Sequence, residues 1–191
     1  MGTPLDPVPW PVRTVRLTLR PATGDDVEAT WAYRRLPEVS RWLTSESTIL
    51  EEYTARFTDS DRLARSIVVE LDGDVIGDLM VKVGDAWAQA EVEEQARAVQ
   101  AALGWAFHPD HAGYGYATEA VRELLRVCFD DLHLRRVTAD CFAANEASWR
   151  LMERVGMRRE ISTVRDSLHR SGEWHDGLGY ALLADEWRAT R

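Results

Sequence analysis

Val15, Leu17 and Leu19 alternate with Thr14, Arg16 and Thr18, the period-two signature of a half-buried strand, and Pro21 ends it. Thr23-Gly24-Asp25-Asp26 then supplies a cap and an acidic first turn. Val27, Ala29, Thr30, Trp31 and Tyr33 follow, so a helix is expected until Pro37 breaks it. A second helical stretch is expected from about Thr48 to Asp61. Ile67–Leu71 and Val75–Val81 read as two strands joined by Asp72-Gly73, a strong short-range hairpin signal. Residues 84–100 carry Glu91, Glu93, Glu94 and Arg97 among alanines and read as an acidic excursion with a short helix.

In the second half, Ala102–Phe107 reads as a strand and His108-Pro109-Asp110 as a loop. Ala117, Ala120, Val121, Leu124, Leu125 and Cys128 recur at helical spacing. Val137–Phe142 is a strand, Asn145–Val155 a helix stopped by Gly156, and 158–168 with 174–183 a closing hairpin around Ser171-Gly172. Strand-helix-strand-helix order implies parallel pairing, and the hairpins imply antiparallel edges. The expected fold is a single mixed α/β domain, a twisted sheet of about seven strands with helices on both faces.

Composition narrows the class. With 191 residues, 45 % apolar and 29 % charged, the chain suits one folded domain and not a disordered or collagenous polymer. Lys and Arg total 23 against 32 Asp and Glu, and the net charge of −9 argues against nucleic-acid partners and mildly favours a cationic one. No run approaches the roughly 18 apolar residues of a membrane helix, and the opening residues lack the charge and apolar run of a leader, so a cytoplasmic protein without a membrane partner is expected. Cys128 and Cys141 fall in apolar patterns and read as buried free thiols.

Candidate chemistry begins at His111-Ala112-Gly113-Tyr114-Gly115-Tyr116-Ala117-Thr118-Glu119-Ala120, between a strand and the clearest helix. Backbone N–H groups at a helix start attract an anion, and Gly113 and Gly115 let the backbone approach a diphosphate without a Cβ in the way. A plain turn before a helix would look the same. The segment lacks the Lys-Ser/Thr pair of a P-loop and the three spaced glycines of a dinucleotide fingerprint.

The segment does resemble the pyrophosphate loop, Gln/Arg-x-x-Gly-x-Gly/Ala, of the GNAT superfamily of N-acetyltransferases. Gly115 and Ala117 hold the last two positions, and Ala112 stands where Gln or Arg is usual. The resemblance spans about residues 13–188 and is closest to the branch that includes ribosomal-protein-alanine N-acetyltransferases. Leu17-x-Leu19-Arg20-Pro21, Gly104-Trp105 with Gly115–Ala120, Asn145-x-x-Ser148 with Gly156-Met157, and Trp174-His175-Asp176 before Tyr180–Leu183 and Glu186-Trp187 carry it. It implies a transferase domain at 13–188 behind an extension at 1–12, a splayed central parallel pair, and acetyl-CoA or another acyl-CoA as co-substrate without a metal. The cofactor would meet Trp105, Ala106, Phe107, Ala112, Gly113, Tyr114, Gly115, Tyr116, Ala117, Thr118, Asn145 and Ser148. Homodimers paired through sheet edges or helices are also implied.

Acyl transfer from a thioester to an amine needs a neutral amine, polarisation of the carbonyl and a protonated leaving thiolate, but no covalent nucleophile. Asn145 and Ser148 lie three apart on one helix face, where they could meet pantetheine and sulfur or simply cap and coat the helix. Many members of the superfamily carry a Tyr acid one turn beyond Ser148. Here Met152 stands there, so Ser148 is the candidate acid. The Glu that the related branch often carries before the Gly-aromatic pair is Ala102. The closing hairpin, which the resemblance sets beside the acceptor, offers Asp166, His175 and Asp176 as bases, or as ordinary hairpin hydrogen bonders. Glu119 reads as support for the helix dipole. Trp31, Trp42 and Trp87 could line an acceptor pocket, while Trp105, Trp149 and Trp187 read as core or edge packing. His108 and His111 bracket an Asp, but Pro109 fixes a loop and no third ligand is evident, so no metal is expected. The reading is direct transfer of an acyl group to a primary amine, such as a protein N-terminal amine. A catalytically silent acyl-CoA-binding protein is the alternative.

Overall fold

The computed structural model describes residues 3–46 and 48–189. Eight strands form one sheet: β1 (Val12–Arg13), β2 (Leu17–Pro21), β3 (Ser66–Leu71), β4 (Asp74–Gly84), β5 (Gln100–Phe107), β6 (Arg136–Phe142), β7 (Arg158–Leu168) and β8 (Trp174–Leu183). Their spatial order is β1-β2-β3-β4-β5-β6-β8-β7, antiparallel throughout except for β5 beside β6. The strand beyond the expected seven is β1, two residues that pair with Thr18 and Leu19. Leu5 and Val8 ahead of it, and Val12 within it, are buried in the main core.

Two layers of helices cover the sheet. On one face α5 (Tyr116–Arg126), α6 (Glu146–Arg154) and α7 (Ala184–Ala189) bury Leu124, Leu125, Leu151 and Trp187 against Leu19, Ile67, Leu79, Leu103 and Val137. On the other, α1 (Val27–Arg34), α2 (Pro37–Ser40), α3 (Leu50–Phe57) and α4 (Ser60–Leu63) lie near the β2–β4 half. There Val27, Tyr53 and Phe57 close over Ala22 and Val68. The acidic excursion holds one 3-10 stretch, Ala90–Ala96.

Three sequence expectations need correction. Val15 is not a strand residue: it is 96 % exposed, because the chain reverses between Thr14 and Leu17 and the strand starts after the turn. The helix expected over 48–61 breaks after Phe57, where Asp59 accepts from the N–H of Arg62 and starts the separate α4. Trp87 stands 89 % exposed beyond the end of β4, beside the start of β5 and so at the opposite end of that strand from the glycine loop. Cys128 is buried and Cys141 half-buried, both as free thiols. No helix among the described residues is long and apolar enough to cross a membrane.

Candidate active site

β5 and β6 pair only over Gln100–Ala102 against Arg136–Thr138, whereas β5 stays bonded to β4 as far as Phe107. The strands diverge after Ala102. The edge of Leu103–Phe107 that faces β6 therefore has no strand partner among the described residues, and an extended ligand with amide groups could complete it. Ala101, Leu103, Val137 and Ala139 point into the core under α5 and α6. By the two-residue period of a strand, Ala102, Gly104, Thr138, Asp140 and Phe142 line the opposite face. A cleft closed by helices on one side and open on the other results.

The glycine loop follows at the end of β5. The N–H of His111 donates to His108 O (3.1 Å) and that of Ala112 to Pro109 O (2.9 Å), winding the chain into a tight turn. Gly113 and Gly115 then take φ of +83° and +82°, the left-handed region where a Cβ is strained. Helix α5 starts at Tyr116, so the N–H groups of Tyr116, Ala117 and Thr118 have no intrahelical acceptor, the arrangement in which a helix start can hold an anion. Tyr114 is exposed and stacks on Tyr116 at 5.8 Å between ring centroids.

A clamp holds this loop from the far end of the sheet. Glu119 accepts from Thr14 Oγ1 (2.5 Å), from the Arg16 N–H (2.9 Å) and from Arg16 Nε (2.7 Å). Arg16 Nη1 donates to Tyr114 O (3.0 Å), and its guanidinium lies over the Tyr116 ring at 4.5 Å. Burial works to raise the Glu119 pKa, but the bonds from Thr14 and Arg16 outweigh it and hold the carboxyl below its usual value. Arg16 was legible only as a polar position in an alternating strand; its partner lies in a distant helix.

Across the cleft, Asn145 Oδ1 accepts from the Ser148 N–H (3.4 Å), so Asn145 does cap α6. Burial pushes the Cys141 thiol up to about 11, against the opposing effect of the neighbouring Ser148 hydroxyl. Met152, one turn on, is buried and has no proton to give. Cys128 is pushed up to about 12 by burial alone and is inert packing.

The open end of the cleft is walled by rings. Trp42 meets Phe142 at 5.9 Å, Phe142 meets His175 at 5.8 Å, and His175 meets His169 at 5.4 Å. His169 Nε2 hydrogen-bonds Arg41 O (2.9 Å) and Arg170 Nη2 donates to Leu43 O (2.6 Å), which joins the segment after α2 to the β7–β8 turn. Beyond the rings lies an open groove of ≈ 700 Å³ lined by Arg165, Glu173, Trp174 and His175. Of the expected pocket tryptophans, Trp42 is in this wall, whereas Trp31 packs against the smaller core.

The three hairpin candidates differ in their freedom. Asp166 Oδ1 accepts from Thr163 Oγ1 (2.5 Å) and Ser167 Oγ (2.9 Å), and these bonds hold its pKa below the ordinary value. Asp176 Oδ1 accepts from the Arg165 N–H (2.9 Å), in the bulge where residues 164–166 have outgrown their β8 partners. His175 has Glu173 3.7 Å away and keeps its place in the ring wall. Asp78, in the apolar run of β4, is buried and accepts from Tyr33 Oη (2.6 Å) and from Arg34 Nε (2.8 Å) and Nη2 (2.6 Å), fixing α1 to the sheet. One acidic position in an otherwise apolar strand was the only sequence signal for that network.

A sheet whose single parallel pair splays, with a glycine loop and helix start at its mouth, defines an acyltransferase of the GNAT type. Residues 16–158 match the Acetyltransferase (GNAT) domain, and the chain belongs to that family. Over 85 residues it is 38 % identical to the uncharacterized N-acetyltransferase YnaD of Bacillus subtilis, a match covering 44 % of this chain and 49 % of that protein. A GNAT-family acetyltransferase from Bacillus anthracis superposes with a TM-score of 0.77 at 27 % identity, covering 91 % of this chain and 98 % of the other. The fold is also that of a ribosomal-protein-S5-alanine acetyltransferase from Vibrio fischeri, with a TM-score of 0.73 at 16 % identity over 92 % and 97 % of the two chains.

Proposed function

We propose that residues 13–188 bind acetyl-CoA and transfer its acetyl group directly to a primary amine. The observation that carries this is the junction of the unpaired Leu103–Phe107 edge with a left-handed Gly113/Gly115 turn at the start of α5. The N–H groups from Gly113 to Thr118 hold the diphosphate, with Ala112 at the edge of the loop. The pantetheine amides bond the free strand edge at Trp105, Ala106 and Phe107. Asn145 and Ser148 meet the far end of that arm, where a hydrogen bond from the Ser148 hydroxyl eases departure of a thiolate of ordinary pKa about 8.5. His175, Asp166 and Asp176 belong to the acceptor wall, and with the ring cluster they receive a cationic amine.

An α-amine is the acceptor this chemistry favours. With an ordinary pKa near 7.7–8.0 it is about a tenth neutral at pH 7, whereas a lysine near 10.4 is neutral about once in a few thousand molecules. The S5-alanine enzyme that shares the fold acts, by its name, on a protein alanine. A peptide with a free N-terminal alanine is therefore the acceptor of choice.

Calorimetric titration with acetyl-CoA, together with amine-dependent release of free thiol, tests the reading. Binding and release are expected from the wild type, and Gly115→Val should weaken binding at least tenfold by straining the left-handed turn and crowding the backbone. Binding without thiol release for any amine would favour a silent acyl-CoA-binding protein. Unchanged affinity in Gly115→Val would remove the loop from the site.

A further inference from the structure

Asp140 stands apart from the other acidic groups around the cleft. It follows Arg136–Thr138, the stretch of β6 that pairs with β5, and so lies where that strand has left β5. Val137 and Ala139 point into the helix-covered core, so Asp140 is on the open face with Phe142 of the ring wall two residues on. Its partner on β8 is Gly179. A Cβ at Gly179 would sit 2.8 Å from Asp140 Oδ1 and 3.0 Å from Ile161 Cβ, so the missing side chain is what lets the carboxylate lie over the strand. Asp166 and Asp176 are both tied to hairpin donors, whereas the Asp140 carboxylate has no hydrogen-bond or ion-pair partner among the described residues. Crowding by neighbours, with no donor to offset it, pushes its pKa above the ordinary value, the direction a proton acceptor needs.

Resting on the proposed acetyl-CoA site, we infer that the Asp140 carboxylate is the catalytic base that takes a proton from the acceptor's ammonium group. Helices α5 and α6 close the other side of the cleft, so the amine reaches the thioester across the face that Asp140 occupies. Asp140 accepts one proton from the ammonium and passes it to solvent. The freed lone pair forms the C–N bond, the C–S bond breaks with its electron pair going to sulfur, and the second proton lost by nitrogen ends on that thiolate. Ammonium and acetyl-CoA thus give amide, CoA thiol and one proton.

The test compares wild type, Asp140→Asn, Asp140→Glu and Gly179→Ala with two nucleophiles, a peptide bearing a free N-terminal alanine and hydroxylamine, which is already neutral at pH 7. Asp140→Asn should lower kcat/KM for the peptide about tenfold at pH 7, where about a tenth of the α-amine is already neutral, with acetyl-CoA affinity intact by calorimetry. With hydroxylamine the rate should be nearly unchanged, because no proton has to be removed before attack. Asp140→Glu should recover part of the peptide rate. Gly179→Ala, which displaces the carboxylate without removing it, should lose an intermediate amount. Full peptide activity in Asp140→Asn, or equal losses with both nucleophiles, would overturn the assignment and leave the acetyl-CoA site standing. A wild type that binds acetyl-CoA but acylates neither nucleophile would overturn both.

Discussion

In the proposed reaction, one residue's conformation or one hydroxyl sets a step, at the loop glycines and at Ser148. Asn145 spends its side-chain oxygen on the cap, which leaves Ser148 as the hydroxyl at the head of α6, beside a thiol that stays protonated. Ser148→Ala should therefore lower kcat about tenfold or more without weakening acetyl-CoA binding, because the lost hydrogen bond forms only as negative charge grows on sulfur. Steady-state kinetics at saturating acetyl-CoA check this, and a rise in KM alone would instead make Ser148 a cofactor-binding group. The Gly113-x-Gly115 spacing was legible in the sequence, and the structure supplies its reason in two positive φ values. The free carboxylate of Asp140 was not legible. Its alternation within Val137–Phe142 marks it only as an outward residue; the glycine opposite it comes from a strand nearly forty positions later.

Between elements, the clamp and the buried ion pairs decide how rigidly the site is held. Arg16 and Glu119 carry opposite charges beside the same loop. Simple electrostatics expects Arg16→Gln to weaken binding of the CoA phosphates and Glu119→Gln to strengthen it. If the pair instead holds the Tyr114 carbonyl and the helix start in place, both variants should weaken acetyl-CoA binding about fivefold, and the double variant little further. Calorimetric titration of the three proteins decides by sign. Asp26, buried at the start of α1, accepts from Arg20 Nη1 (2.8 Å) and Nη2 (2.7 Å). Burial acts to raise its pKa, but the bonds from Arg20 and Thr23 win and lower it. Its stabilisation is thus present above the unfolded value of about 4 and is lost as pH falls through the lower folded value. Urea unfolding should show an acid-dependent loss of stability below about pH 4 that is smaller in Asp26→Asn. Asp78→Ala should cost about 3–5 kcal/mol by stranding Arg34 beside the sheet, measured in the same way at pH 7.

For the whole molecule, the splayed strands make ligand binding and stability one problem. The unsatisfied edge of Leu103–Phe107 is a site that the bound pantetheine would complete. Acetyl-CoA at 100 times its Kd should then add about 2.7 kcal/mol, raising Tm by about 5–10 °C in a chain of this size. Thermal unfolding with and without acetyl-CoA measures it, and Gly115→Val should lose most of the shift.

Local pattern by itself determined seven of the eight strands, the hairpin at Asp72-Gly73, the clearest helix and the glycine turn before it, because each depends on periodicity or backbone freedom within a few residues. Even there it erred where a distant contact intervened: Val15 leaves its strand as the chain turns to present Thr14 and Arg16 to Glu119. Tertiary structure alone decided that β5 and β6 part after Ala102 and Thr138, that Trp42 rather than Trp87 joins the ring wall, and which carboxylates are left without donors. Those are properties of pairs brought together across some 36 to 100 residues, and no local period encodes which groups remain unpaired once the rest of the chain has folded.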